Sequence, residues 1–318
     1  MKRIPLPHSP NGWFKVAFSD ELEVGDVKSV HQFGKDLVVY RGEDGAAHVL
    51  DAYCAHLGAH LGVGGKVVGG EIRCPFHGWR YDGSGRCTEV PYAKKIPALA
   101  RVRSWEIREQ NGYVMAWHHA EDKPPTFEVP LIPEITDPGY YKYKRVRWEL
   151  ETHIQEMYEN AVDIQHFAHV HAMQIEKVNW DGDGPIATLV LDLKREAVVQ
   201  SNAEGETSFR SFMYGPGLSL TRVTGKLVGV SIQTLTPIDD EKAEVVHTYY
   251  AKKSEPAGKA ELEAFFDYYA SDWELDFGLW NTKVYRPQPL LAENDGDVGR
   301  FRRWYKQFYS TDLGIDKF

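Results

Sequence analysis

Four residues in one short stretch are of the types that hold soft metals: Cys54, His56, Cys74 and His77. They form two pairs, Cys-x-His and Cys-x-x-His, 17 residues apart, each followed at once by a glycine-containing turn. Each loop offers one thiolate and one imidazole. Two such loops facing each other can place both cysteines on one iron and both histidines on the other iron of a 2Fe–2S cluster. A zinc finger usually presents its two cysteines first and its two histidines afterwards, and this mixed order differs. Neutral imidazoles leave less negative charge on the iron than thiolates do. The reduction potential therefore lies above that of an all-cysteine cluster, and the centre relays one electron at a time. Cys87 lies outside the pattern and reads as a small buried residue. His60 reads as a structural or supporting side chain.

A second constellation follows. Between Glu156 and His171 the chain carries Glu156, Glu159, Asp163, His166, His169 and His171. Two histidines and one carboxylate on one face hold iron(II) and leave positions open for oxygen. If this stretch is helical, Asp163 and His166 share a face. His171 is five residues beyond His166, a rotation of about 500°, which leaves it roughly 140° off that face. Both histidines reach one metal only if the helix ends or bulges between them. His169 is the rival ligand.

These residues need a scaffold. The chain has 318 residues, 42% hydrophobic and 26% charged, a globular composition long enough for two domains. Its net charge of −9 argues against nucleic acid as a partner. No apolar run approaches the ~18 residues of a membrane span, and the start reads as no signal peptide. Three cysteines make no disulfide framework and point to a reducing cytoplasm. Residues 1–120 read as a small all-β domain, with strands at Asp36–Arg41, Ala46–Leu50, Lys66–Val68, Glu71–Arg73 and Trp79–Tyr81 separated by glycine-rich turns. Glu121–Pro138 carries five prolines and reads as a linker or strap. Residues 121–318 form the second domain. Its expected strands are Tyr141–Leu150, Thr188–Lys194, Ser208–Met213, Lys226–Thr236 and Ala243–Ala251. Its expected helices are His153–Phe167, Gly258–Tyr285 and Gly296–Tyr309. The fold class is α+β, with helices on one face of an antiparallel sheet.

The loops Cys54-Ala-His56-Leu-Gly-Ala-His60-Leu and Cys74-Pro-Phe-His77-Gly-Trp-Arg-Tyr-Asp-Gly resemble the two cluster-binding loops of Rieske non-haem iron oxygenases. Asp163-x2-His166-x4-His171, preceded by Glu159-Asn160, is similar to the catalytic motif of the same family. The resemblance implies a helix-grip catalytic domain, with His166 and His171 on the mononuclear iron. It casts Asp163 as the carboxylate that bridges to a Rieske histidine of a neighbouring subunit in a homotrimer. The stretch from Trp280 to Tyr309 resembles the 3-ketosteroid 9α-hydroxylase and cholesterol 7-desaturase subfamily. There the third ligand lies in Asp-Gly-Pro, seven residues before Arg-Arg-Trp. The equivalent here is Asp295, before Arg302-Arg303-Trp304. Asp297 stands where the family commonly has proline, and it and Glu293 are the rivals.

The expected protein is thus the oxygenase component of a monooxygenase acting on an apolar, steroid-like substrate with O2. The chain holds no G-x-G-x-x-G unit, so electrons must come from an NAD(P)H-dependent reductase, directly or through a ferredoxin. Dihydroxylation, demethylation and desaturation use the same irons. A Rieske electron-transfer protein and a metal-free steroid-binding protein that keeps a Rieske domain for structure are the rivals from other classes.

Overall fold

The computed structural model describes residues 2–173, 175–193, 207–225, 227–253 and 256–310. They form two compact units. One is Trp13–Val129. The other joins the first twelve residues to the chain from Pro130 onward.

The division falls at Val129 rather than at residue 120 because the proline-rich strap is fastened along the smaller unit. Prolines donate nothing, but backbone carbonyls of the strap accept from side chains. Trp117 Nε1 donates to Lys123 O (2.8 Å), Trp13 Nε1 to Phe127 O (2.7 Å) and Gln110 Nε2 to Val129 O (2.7 Å). The N-terminal strip belongs to the larger unit for a similar reason. Glu241 Oε1 accepts from Ile4 N (3.1 Å), Tyr285 N donates to Arg3 O (3.1 Å), and Ile4, Leu6 and Tyr285 bury one another.

The smaller unit contains ten strands: β1 (Gly12–Phe18), β2 (Val27–Gln32), β3 (Lys35–Arg41), β4 (Ala47–Asp51), β5 (Lys66–Val68), β6 (Glu71–Arg73), β7 (Arg80–Tyr81), β8 (Cys87–Glu89), β9 (Ile107–Gln110) and β10 (Tyr113–His118). They form three antiparallel sheets, β1-β10-β9, β2-β3-β4 and β5-β6-β7-β8. The hairpin after β7 turns on Asp82, whose carboxylate accepts from Ser84 N (2.9 Å) and Arg86 N (3.1 Å). Cys54, Cys74 and Cys87 all lie in one buried cluster with Leu61, Ile72, Trp79 and Tyr81.

The larger unit opens with β11 (Tyr140–Leu150). Two short helices follow, α1 (Ile154–Glu159) and α2 (Ile164–His169), joined by a 3-10 turn at Asn160–Val162. The expected single helix is broken at Asp163, which leaves helical geometry (φ −82°, ψ 94°) and caps α2 by accepting from His166 N (3.3 Å). The sheet continues with β12 (Ile175–Asp183), β13 (Ile186–Leu193), β14 (Thr207–Tyr214), β15 (Leu218–Gly225), β16 (Gly229–Asp239) and β17 (Lys242–Lys252). With β11 they form one seven-stranded antiparallel sheet, in the order β11-β17-β16-β15-β14-β13-β12. The strands β12 and β15 were not expected. The first carries Asn, Asp and Gly residues that are poor strand formers, and the second interrupts its apolar pattern with Ser219 and Thr221.

Three helices complete the unit: α3 (Pro256–Trp273), α4 (Phe277–Trp280) after a 3-10 turn at Glu274–Asp276, and α5 (Val298–Tyr305). The register fixes one face of the sheet. Phe209–Val223–Gly229–Ala251 and Ser211–Thr221–Ser231–Tyr249 lie in successive cross-strand rows. Phe265 and Phe266 of α3 pack on this face with Val223, Tyr249 and Ala251. At Gly229 the approach is so close that a Cβ would lie 2.7 Å from the Phe266 ring. The α+β class expected from the sequence holds.

Candidate metal centres

The two loops of the smaller unit close by the same backbone pattern. Gly58 N donates to Cys54 O (2.9 Å) and Gly78 N to Cys74 O (3.2 Å). Cys54 N donates to Ala59 O (2.9 Å) and Cys74 N to Trp79 O (2.8 Å). Both glycines sit at φ +74°, a conformation that a side chain would strain. Two loops with one geometry thus present the same residue types. Both thiols are buried and free, and burial pushes the Cys74 thiol up, with the neighbouring Cys54 adding to the effect. The imidazoles of His56 and His77 are half-buried, their rings 4.7 Å apart, and His56 stacks on Trp79 at 4.6 Å. The thiol end is therefore inside and the imidazole end meets solvent.

The donor set fits a two-iron cluster. His56 Nδ1 is buried with no hydrogen-bond partner, as a nitrogen kept for a metal would be. Among the described residues, no three of these four donors converge within 4.8 Å as they would around a single zinc. A cluster with cysteines on one iron and histidines on the other separates them in this way. Tyr81 Oη lies 3.1 Å from Cys54 Sγ, and toward a thiolate it can only donate. His60 accepts from Gly62 N through Nδ1 (3.1 Å) and packs edge-on against Tyr53, a turn-forming role. Cys87 is core.

In the larger unit, α2 ends at His169 and Ala172 turns with φ +52°. This is the break that the spacing requires, and it brings the rings of His166 and His171 to 5.2 Å. His166 Nδ1 lies 2.5 Å from Asp163 O, which can only accept, so Nδ1 carries the proton and Nε2 is free. His169 is exposed and lines a different, polar cavity.

The carboxylate beside the two histidines is Asp276. His166, His171 and Asp276 each place a donor atom within 4.8 Å of the others, the one such group among the described residues. His171 Nε2 is 3.2 Å from Asp276 Oδ2, and Asp276 Oδ1 is buried with no hydrogen-bond partner. His171 Nδ1 faces Asp272 Oδ2 at 3.1 Å, and Tyr268 Oη reaches the other oxygen of Asp272 at 3.4 Å. Burial alone would lower the His171 pKa, but Asp272 and Asp276 outweigh it and raise it to about 9. Two buried carboxylates around two imidazoles thus make a pocket that a divalent cation fits, with Asp272 oriented as the outer partner of His171.

Asp295, expected as the third ligand, lies elsewhere. Its Oδ2 accepts from Ala292 N (2.6 Å) and its own N–H donates to Ala292 O (3.3 Å), closing a turn on itself. Neither Asp297 nor Glu293 joins the histidines. The motif has another use. Gly296 (φ +89°) abuts Val162 O, where a Cβ would lie at 2.1 Å, and Asn294 O accepts from Gln165 Nε2 (3.0 Å). The turn thus buttresses the backbone on either side of Asp163. Arg302 makes a buried bidentate bridge to Glu159 (2.6 and 2.8 Å), tying α5 to α1. The signal for Asp276 was present in the sequence: Asp272 and Asp276 are four residues apart in an aromatic stretch, two acids on one helical face with no basic neighbour.

A cavity with a mostly apolar lining opens over the triad. Sheet residues such as Leu189, Phe209, Met213 and Leu235 line it with Phe265, Tyr269, Trp273 and Trp280. Asp163 faces the separate polar cavity, beside Glu156, Lys283 and Asp295, and His166 borders both.

Residues 12–105 match the Rieske [2Fe-2S] domain, and residues 116–309 match the 3-ketosteroid 9alpha-hydroxylase C-terminal domain. The chain is 35% identical over 339 residues to cholesterol 7-desaturase nvd 1 of Ciona intestinalis, covering 96% of this chain and 70% of that protein. It is 31% identical over 315 residues to the oxygenase component of 3-ketosteroid-9-alpha-monooxygenase of Rhodococcus rhodochrous, covering 94% and 79%. The fold matches Pseudomonas putida NdmA with caffeine, with a TM-score of 0.78 at 21% identity over 92% of this chain and 89% of that one. Two loops built for a Cys2His2 cluster, a second centre of two histidines and an acid, and these matches place the chain among the Rieske non-haem iron oxygenases, oxidoreductases that carry a 2Fe–2S cluster and a mononuclear iron.

Proposed function

We propose that this chain is the terminal component of a monooxygenase that hydroxylates an apolar, steroid-like substrate. The observation that carries the reading is a mostly apolar cavity whose charged lining, among the described residues, is confined to His166, His171, Asp272 and Asp276. Steroid-type substrates are named for the relatives at 31–35% identity. In this reading Cys54, His56, Cys74 and His77 hold the cluster, and His166, His171 and Asp276 hold the iron. When bound, these groups supply one-electron transfer and oxygen activation.

The protein's part is placement. Asp163 O fixes the His166 tautomer, and Asp272 steadies His171. Apolar walls hold the substrate against the triad and exclude water. The half-exposed imidazole end, His56 and His77, is where electrons enter and leave. Their source is an NAD(P)H-dependent reductase, directly or through a ferredoxin. Asp163, on the polar side of the iron site, is the carboxylate that meets a neighbouring copy's cluster in a homotrimer. The free, buried cysteines suit a reducing cytoplasm. Desaturation is the second reading, favoured by the Ciona relative's name.

Two measurements test the proposal. Anaerobically purified protein should carry about three irons and two sulfides per chain, and His166→Ala about two irons with sulfide unchanged. Steroids incubated with O2 and a surrogate reductase should gain one oxygen atom; loss of two hydrogens instead would select desaturation. Two irons in both proteins would reduce the chain to an electron carrier.

A further inference from the structure

One wall of the cavity departs from its apolar character. Ser219 and Gln233 face each other across β15 and β16, and both line the cavity. Ser219 Oγ donates to Gln233 Oε1 (2.9 Å), and Gln233 Nε2 donates to Ser231 Oγ (2.8 Å). Ser231 hydrogen-bonds Tyr249, whose hydroxyl lies 3.0 Å from His247 Nδ1. Ser231, Tyr249 and His247 are fully buried. A polar network therefore runs from the interior of the sheet to the cavity wall and ends there on one amide.

A primary amide offers two donors and two acceptor lone pairs. The bonds to Ser219 and Ser231 use one of each. One N–H and one lone pair remain, on a side chain only 3% exposed, at the wall of a cavity. Buried amide valences left unmet cost free energy, so an occupant that supplies an oxygen is selected over one that does not. Among the described lining residues there is no lysine or arginine, so a carboxylate there would be buried without a countercharge.

We propose that Gln233 is the specificity-determining contact for a neutral oxygen, a ketone or a hydroxyl, carried by the substrate. The inference rests on the reading of the cavity as a steroid-type site and adds which functional group the substrate bears. Ser219 and Ser231 act as positioning residues for the amide.

The test uses the iron-loaded full chain and three probes of one skeleton: androstane, its terminal-ring ketone and the corresponding alcohol. Dissociation constants are read from quenching of tryptophan fluorescence, since Trp273 and Trp280 line the cavity. The comparison is the affinity of each oxygenated probe relative to the hydrocarbon, which cancels general effects on packing. In Gln233→Leu this ratio should fall about tenfold for both oxygenated probes. Gln233→Met, also without donor or acceptor, carries the test if the leucine variant loses its cluster absorbance. Ratios unchanged from wild type, with all probes bound, would overturn the Gln233 assignment and leave the steroid reading standing. Failure of wild type to bind any of the three would overturn both.

Discussion

The proposal that Asp276, rather than Asp295, is the third iron ligand has the sharpest consequence, and paired substitutions decide it. Asp276 is 3% exposed, its Oδ2 is 3.2 Å from His171 Nε2, and its Oδ1 has no other partner. Asp276→Asn keeps the shape, removes the charge and turns an N–H donor toward the site. Loss of a direct ligand should exceed the 10–100-fold affinity loss typical of an outer-sphere partner. Iron should therefore fall from about three to about two per chain, with about two sulfides and the cluster absorbance retained. Asp295→Asn should keep about three irons, since an amide oxygen can still accept from Ala292 N. Asp272→Asn should fall between, binding iron some 10–100-fold more weakly because only the support of His171 is lost. The assay is iron and acid-labile sulfide on anaerobically purified protein, with ferrous titration of the apo-site. Three irons in Asp276→Asn beside two in Asp295→Asn would refute the geometry.

Tyr81→Phe removes the hydroxyl that donates to Cys54 Sγ. Since that bond stabilises the extra negative charge of the reduced cluster, the potential should move lower, as direct voltammetry would read; an unchanged potential would show the contact to be idle. Stability should also depend on pH. Burial lowers His247 to about 3 and His153 to about 4, so both rings are neutral in the fold while the unfolded chain protonates near 6.5. The unfolded state then binds more protons, so stability is full above pH 6.5 and falls as pH drops toward the folded values. At pH 5 the cost is about 2 kcal/mol per ring. In urea unfolding, His247→Gln should lose about 2 kcal/mol less than wild type between pH 7 and pH 5, and parallel losses would count against the assignment.

Much of the fold was legible because its signals are local. The hairpins of the smaller unit announce themselves by glycine and aspartate turns, and β16 and β17 by long alternating runs. What resisted reading was structure set by distant partners. β15 carries Ser219 and Thr221 where a core strand would carry apolar residues, since those positions face the cavity. A strand that serves a site gives up the pattern by which strands are recognised. The helix expected over His153–Phe167 failed at Asp163 for a related reason. The residue that caps α2 also orients His166 through its carbonyl, and an uninterrupted helix could do neither.

The same contrast explains the two metal centres. Cys54, His56, Cys74 and His77 sit in two short loops that each close on their own backbone, so spacing alone displays the donor set. The proposed iron triad draws on two separated segments: the end of α2 and the turn after it, which give His166 and His171, and the 3-10 turn after α3, more than a hundred residues later, which gives Asp276. Spacing cannot show which of several acids folds back to that helix end. The motif points to Asp295 because Arg302 is its landmark. Yet Arg302 serves Glu159, and Gly296 serves the backbone beside Asp163, so that the motif marks the scaffold of the site. The physical clue lay in the environment. Asp272 and Asp276 are two acids buried among Tyr268, Tyr269, Trp273 and Trp280, and two buried carboxylates sharing the single imidazole of His171 are costly unless a further cation completes them. Read for burial and charge, the aromatic stretch that carries them points to the ligand.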